Sequence, residues 1–563
     1  MRTVIFLFAL LSVILPAIGA GGASLDLIEQ AVAAYSDEHV ARYLAEVEEK
    51  GVQEHGFPRL VANMGVLVAN GRMSERRELF RRMMTVACRD AAKGKMPKSS
   101  GGNEFSVKEL ALALGELEQA KVFPADVTDA WRADLSRIEA KRCYSVIPRP
   151  GDTTRAYNWY VFGAASEQVR IAKGLGGDPA FVEACVRDQL RWFDENGMYR
   201  DPHEPAVYDF VTRLQFAVIL KFGYDGASKD RLVEMMERSA EPTLRMLSAC
   251  GEIPYGGRSN QFLHNHTCYA ALCAWYAAHF AAKGDLALAR RFASAEQESL
   301  DALSTWLAVR PVRHVKNAYP PDSGLGCEPY AYFDKYMVTM GSWAILERAF
   351  AADVPAEKAR TVPDVFVTSP HFHWVFMRAG EYSVQFDYAA NPQYDCDGLG
   401  RIHRRGAPPQ LALSTPCART PNYRLAQPND TALAILPIAE GRLNLVKQAV
   451  TDDAAETEWT VGEQTWRCRL SEAGLEMTLS GAKDLALTLP VFVTDGLSEA
   501  VIESSPHAVS STCLGWRCTS RTNGEIVRTE QTARNRNGTY RRYEARGHDT
   551  LKVTVTIERV KEN

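Results

Sequence analysis

Tyr382-Ser383-Val384-Gln385-Phe386 alternates apolar and polar side chains, and that alternation divides the chain in two. A period of two puts one face on a core and the other toward water or a polar neighbour, which is the pattern of a half-buried strand. Leu475-Glu476-Met477-Thr478-Leu479 and Leu551-Lys552-Val553-Thr554-Val555-Thr556-Ile557 repeat it. Asn537-Gly538 sits between two strand-compatible runs as a hairpin signal. Residues 362–563 therefore read as an antiparallel β-sandwich.

Working back toward the N-terminus, the period changes. Leu25-Asp26-Leu27-Ile28-Glu29-Gln30-Ala31-Val32 is amphipathic at helical spacing, and similar stretches begin near Ser74, Ser106, Thr153, Pro179, Glu204, Lys229, Gln261, Asp285 and Pro329. Gly and Pro separate the runs. Roughly ten helices of about 15 to 20 residues, joined by short loops, suggest hairpins stacked around a ring. The expected fold is α+β and multidomain: an incomplete α/α toroid over residues 21–355, then the sandwich, with Asp353 to Pro363 as linker. A helical solenoid of the same hairpins is the alternative.

The first residues read as an export signal. Arg2 precedes an apolar run from Val4 to Leu15, then Pro16 and small residues, so residues 1–20 form an expected signal peptide cleaved after Gly19 or Ala20. The run is shorter than the roughly 20 apolar residues a membrane span needs, and no other span is expected. A periplasmic or secreted location follows. The twelve cysteines include no CxxC pair, and most are expected as buried free thiols, with Cys513 and Cys518 placed to close a small loop.

With 563 residues, 46% hydrophobic and 24% charged, the chain has the composition of a globular protein larger than one core. A net charge of −4 gives no basic footprint for nucleic acid. A polyanion would have to be held by a few local Arg and His residues. Nothing in the sequence sets an oligomeric state.

Polar residues concentrate at one loop-to-helix junction, Tyr255-Gly256-Gly257-Arg258-Ser259-Asn260-Gln261-Phe262-Leu263-His264-Asn265-His266-Thr267. Asn158-Trp159-Tyr160 and Tyr208-Asp209 accompany it, with rings for pyranose faces and amides for hydroxyls. Further on come Asn317-Ala318-Tyr319, then Glu328-Pro329-Tyr330-Ala331-Tyr332-Phe333-Asp334-Lys335-Tyr336, and in the β half the loop Tyr394 to Gly406 with Arg401 and His403. Asn, His, Tyr and Arg without an obvious nucleophile suit β-elimination at a uronate. The carboxylate is neutralised by hydrogen bonds and cations while a Tyr or His moves the proton.

The order of parts resembles the heparinase II/III-like and alginate lyases, which pair an α/α toroid with an antiparallel β-domain. In those families an Asn-His pair is followed at a distance by a Tyr, and a second His comes early in the β-domain. Asn265-His266, a Tyr among Tyr319, Tyr332 and Tyr336, and His403 occupy those places here. The resemblance implies Asn265, His266, Tyr332 or Tyr336 and His403 as catalytic residues. The polar and aromatic stretches themselves point to Asn158, Trp159, Tyr208, Arg258, Asn260, His264 and Arg401 as binders of an acidic polysaccharide or oligosaccharide. Tyr319 is the weaker Tyr candidate because two prolines follow it. No cofactor is expected, a structural divalent metal in the β-domain being the one addition the resemblance allows. Two other readings stay open. A glycoside hydrolase would draw a carboxylate pair from Asp201, Glu204, Asp209, Glu328 and Asp334. A non-catalytic protein would only bind glycan.

Overall fold

The computed structural model describes residues 20–97, 102–146, 158–202, 205–357, 362–425, 427 and 431–560. The expected signal peptide, save for Ala20, lies outside the described residues, as do Arg155, Tyr157, His203 and Glu204.

Six helices form an inner ring: Gly56–Ala69, Val107–Ala120, Asn158–Ala172, Ala206–Lys221, His264–Ala282 and Phe333–Phe350. Each packs on the next, and Phe333–Phe350 packs back on Gly56–Ala69, which closes the circle. These helices are apolar on nearly every side, as a helix surrounded by other helices must be; Leu60, Val61, Ala62, Met64, Val66 and Leu67 are all buried. The outer helices bury one stripe only. Leu286–Leu307 buries Ala289, Phe292, Ala295, Ser299, Leu303 and Leu307, at steps of three or four, against His264–Ala282. Among the described residues no helix is long and apolar enough to cross a membrane.

The last inner helix ends at Phe350 and the first strand opens at Asp364. Two antiparallel sheets follow. Asp364–Val367, Trp374–Ala379, Tyr382–Asp387 and Gly398–Arg404 form a four-stranded sheet in chain order. The remaining nine strands form a second sheet, dominated by the paired 21-residue strands Gly474–Thr494 and Thr539–Arg559. The sheets meet through Phe386, whose ring stacks on Trp459 at 4.9 Å and lies edge-on to Trp466 at 5.6 Å. Burying each such aromatic contributes about 1.5–3 kcal/mol.

The small sheet is buried on both faces, and its alternation decides what each face touches. Tyr382, Val384, Phe386 and Ile402 enter the sandwich core. Ser383, Gln385, Arg401 and His403 point the other way, into the loops of the toroid: Ser383 Oγ accepts from Ala249 N at 2.8 Å, and Gln385 accepts from Tyr255 N at 3.1 Å. The polar members of the alternating pattern therefore face the helical domain rather than water. All twelve cysteines are unbridged; Cys513 pairs across its hairpin with Trp516, and Cys518 with Ser511.

Candidate active site

The loop from Tyr255 to Leu263 leads into the His264–Ala282 helix and carries the site. Gly256 has φ 143°, and a Cβ there would lie 2.2 Å from the Trp374 indole, so only glycine lets the loop approach the small sheet. Ser259 and Gln261, both buried, hold φ of 58° and 65°. Left-handed backbone at a non-glycine residue costs on the order of 1 kcal/mol or more and persists only where surrounding contacts impose it. Here those contacts are Glu328, which accepts from Ser259 N at 2.6 Å, and Arg536, which donates to Asn260 O at 2.9 Å.

One side of this loop carries a cluster of polar and aromatic side chains, several of them partly exposed, which forms the candidate cleft. Asn158 Nδ2 donates to Asp201 at 2.7 Å, and Asp201 takes Arg258 at 2.6 Å. The Arg258 guanidinium lies over the Tyr208 ring, 4.4 Å from its centroid. Although burial opposes its charge, Tyr208 and Asp201 hold Arg258 protonated. Tyr208 Oη meets Ser259 Oγ at 3.0 Å, and Tyr330 Oη bonds the same hydroxyl. The Tyr336 ring lies 6.2 Å from Tyr330 and 5.0 Å from His264. Trp159, half-buried, meets Phe105 edge-on at 5.3 Å on the adjoining wall.

Burial, then Tyr208 and Glu328, push the Tyr336 phenol well above its ordinary value. Burial, then Arg59 and His314, push His264 well below, and its Nδ1 has no hydrogen-bond partner among the described residues. The cleft thus presents a neutral phenol beside a neutral imidazole.

On the other side of the loop lies the domain junction, and it is closed. Glu252 accepts from Trp306 Nε1 at 2.9 Å, pairs with Lys316 Nζ, and lies 3.5 Å from His266 Nε2. Against the burial penalty, Lys316 and then His266 hold the Glu252 carboxyl well below the usual range. Arg401 donates to Ile253 O and Ser414 O, both at 2.7 Å, and His403 Nδ1 meets Ser248 Oγ at 2.9 Å. Asn260 Nδ2, Asn265 Oδ1 and Arg401 Nη2 are buried without a hydrogen-bond partner among the described residues.

Several expected site residues are therefore relocated. His266, Arg401 and His403 are each at most 1% exposed and lie away from that cluster: Arg401 and His403 because the polar face of the small sheet docks on the toroid, His266 because it is held between Ser299 of the outer helix and Glu252. Asn265 is drawn beneath the loop, donating to Ser259 O at 2.9 Å, and Asn260 is buried with it. Tyr332 caps the start of the Phe333–Phe350 helix, is 53% exposed, and points away from the cleft toward Lys335 and Asp334. Asn158, Tyr208, Arg258, His264 and Tyr336 do come together, with Asn158 and His264 each 4% exposed, while Trp159 packs on Phe105.

The sequence did not single out Glu252, Lys316, Ser259 or Arg536. Arg536 sits in Arg534-Asn535-Arg536-Asn537-Gly538, read only as a turn. Asn537 at that turn donates to Lys316 O at 2.8 Å, so the hairpin tip reaches into the helical domain. Cationic and amide residues inside a two-residue turn signal were the available hint. Among the described residues no group of three His, Cys, Asp or Glu side chains is placed to hold a metal ion.

No family model and no curated protein matches the chain. Solved structures align over most of it. Heparinase III covers 100% of this chain and 88% of its own at 10% identity and a TM-score of 0.49. Heparan sulfate lyase HepC from Pedobacter heparinus covers 90% and 73%, at 8% identity and 0.44. A β-arabinofuranosidase covers 96% and 76%, at 9% identity and 0.33. At such identity a shared order of parts says nothing about which side chains react.

Proposed function

We propose that this protein is an exported polysaccharide lyase that cleaves a uronate-containing glycan by β-elimination. The supporting observation is the cluster of side chains: Tyr336 and His264 lie side by side, next to Arg258, Tyr208 and Tyr330. Arg258 and the two phenols receive the uronate carboxylate, which stabilises the charge that develops when the C5 proton leaves. His264 is the candidate base for that proton, the C4–O4 bond breaks, the C4=C5 double bond forms, and Tyr336 protonates the departing O4. Trp159 stacks a neighbouring sugar.

Among the described residues, the four candidate carboxylates a hydrolase would use are tied down. Asp209 is held by Arg213 through both oxygens, Glu328 by Arg536 and Ser259 N, and Asp201 by Arg258 and Asn158. Asp334 pairs with His39 outside the cleft. The test is ultraviolet absorbance during incubation with heparosan, hyaluronan, chondroitin, alginate and pectate. A rise from the conjugated 4,5-unsaturated uronide is expected on at least one. New saturated reducing ends without absorbance would overturn the lyase reading in favour of a hydrolase.

A further inference from the structure

Tyr332, displaced from the cleft, lines a cavity of about 280 Å³ on the other side of the helix start that carries Tyr336. That volume lies at the low end for ligand pockets and suits one ring rather than a chain. The Tyr332 side chain is 53% exposed, a large value for an aromatic that fills nothing else. Lys335 Nζ lies over the ring, 4.7 Å from its centroid.

Facing the ring are groups already ordered by one another. His39 Nε2 lies 3.2 Å from Asp334 Oδ1, Tyr43 Oη donates to Glu54 at 3.5 Å, and Lys335 pairs with Glu54 at 2.6 Å. Gly56 makes this floor tight: a Cβ there would lie 2.6 Å from Asp334 O and 3.1 Å from both Glu54 Oε1 and Tyr43 Oη. Arg42 and Glu46 complete the rim. Three basic groups (His39, Arg42, Lys335) stand against three acidic ones (Glu46, Glu54, Asp334). The pocket carries no field to favour an anion, yet it offers acceptors for paired hydroxyls beside a stacking ring.

We infer that this pocket is a second saccharide-binding site, separate from the cleft, which takes a single uncharged pyranose residue stacked on Tyr332. It rests on the reading of the protein as glycan-active, since the sugar belongs to the same polymer. The site would anchor a chain whose uronate lies in the cleft.

The experiment is saturation-transfer NMR with the full chain and the methyl pyranosides of glucose, galactose, N-acetylglucosamine and N-acetylgalactosamine. At least one binds, Tyr332→Ala weakens it at least tenfold, and Tyr332→Phe, which keeps the ring, restores it. No binding by any of the four, or binding unchanged in Tyr332→Ala, overturns the site. Binding lost in Tyr336→Phe but not in Tyr332→Ala also overturns it, because the sugar then sits in the cleft. The absorbance assay reads the cleft independently. Tyr332-dependent binding without any absorbance on any glycan would sink the lyase reading alone.

Discussion

His266 Nε2 lies 3.5 Å from Glu252 Oε2, and its Nδ1 meets Ser299 Oγ at 3.0 Å, so a histidine at the start of one inner helix is locked between an outer helix and a buried carboxylate. Glu252 also takes Lys316, and His403 lies within its field from the β-domain. One carboxylate thus ties the start of the His264–Ala282 helix to Lys316 and to Trp306 of the outer helix.

Removing that carboxylate should be costly. Glu252→Gln leaves the Lys316 ammonium buried without a counter-charge, and breaking one side of a buried pair costs about 3–5 kcal/mol. Denaturant unfolding should show a loss of that order, with Glu252→Gln/Lys316→Met recovering much of it. A loss under about 1 kcal/mol would mean the pair is not buried in solution.

Tyr336→Phe should lower kcat by roughly 10²–10⁴ while leaving unfolding nearly unchanged, because the phenol oxygen moves a proton and the ring does the packing. Steady-state kinetics beside a thermal melt checks both. Comparable activity in the Phe variant would move the acid to Tyr330.

Arg258 separates binding from proton transfer. Its guanidinium bridges Asp201, Pro202 O and the Tyr208 ring. A hydrogen bond to a charged group contributes about 1.5–3 kcal/mol, so Arg258→Ala should raise KM by roughly 10- to 100-fold. Arg258→Lys should not restore it, since an ammonium lacks the planar fork. A fall in kcat with KM unchanged would contradict the assignment.

The rate should hold on the acid side of neutrality. His264 serves as a base only when neutral, and its pKa lies well below 6.5, so kcat/KM should not fall between pH 7.5 and 6.5. Tyr336, raised well above 10, stays protonated through pH 9. A bell-shaped profile with a limb near 6.5 would place the base elsewhere.

Stability should fall in acid sooner than activity chemistry requires. His55, His264, His266 and His403 are buried with depressed pKa values, and His314 falls to about 4. Unfolded, each titrates near 6.5. Below that pH the unfolded state binds protons the folded state refuses, so stability drops by about 1.4 kcal/mol per pH unit for each such histidine until the folded value is reached. Glu252, depressed well below 4.5, adds a further loss as pH falls below 4.5. Chemical unfolding from pH 7.5 to 5 should therefore steepen below 6.5; a flat profile would mean these histidines are not buried and neutral.

Much of this was legible beforehand. The period-two runs at 382–386, 475–479 and 551–557 are strands, and Asn537-Gly538 turns a hairpin, because alternation and turn chemistry are local. Arg258 and His264 stand out in the sequence because polar groups crowded at a helix start are unusual, and the structure brings them together with Tyr208 and Tyr336. Tyr332 was misplaced for a simple reason. Residues 332 and 336 are one turn apart in sequence, but Tyr332 caps the helix in extended backbone while Tyr336 lies within it, and the cap turns the ring outward.

The sequence by itself determined the two halves, their secondary structure and the loop where polar residues gather, since these follow from spacing along the chain. Which face of the small sheet meets the helical domain could not follow from spacing. An alternating strand has a polar face whether that face meets water, a substrate or another domain. Only the tertiary structure decided that Ser383, Gln385, Arg401 and His403 dock onto the toroid. That docking buried His403 and Arg401 at the junction, apart from the cluster of Arg258, Tyr208, Tyr330, His264 and Tyr336.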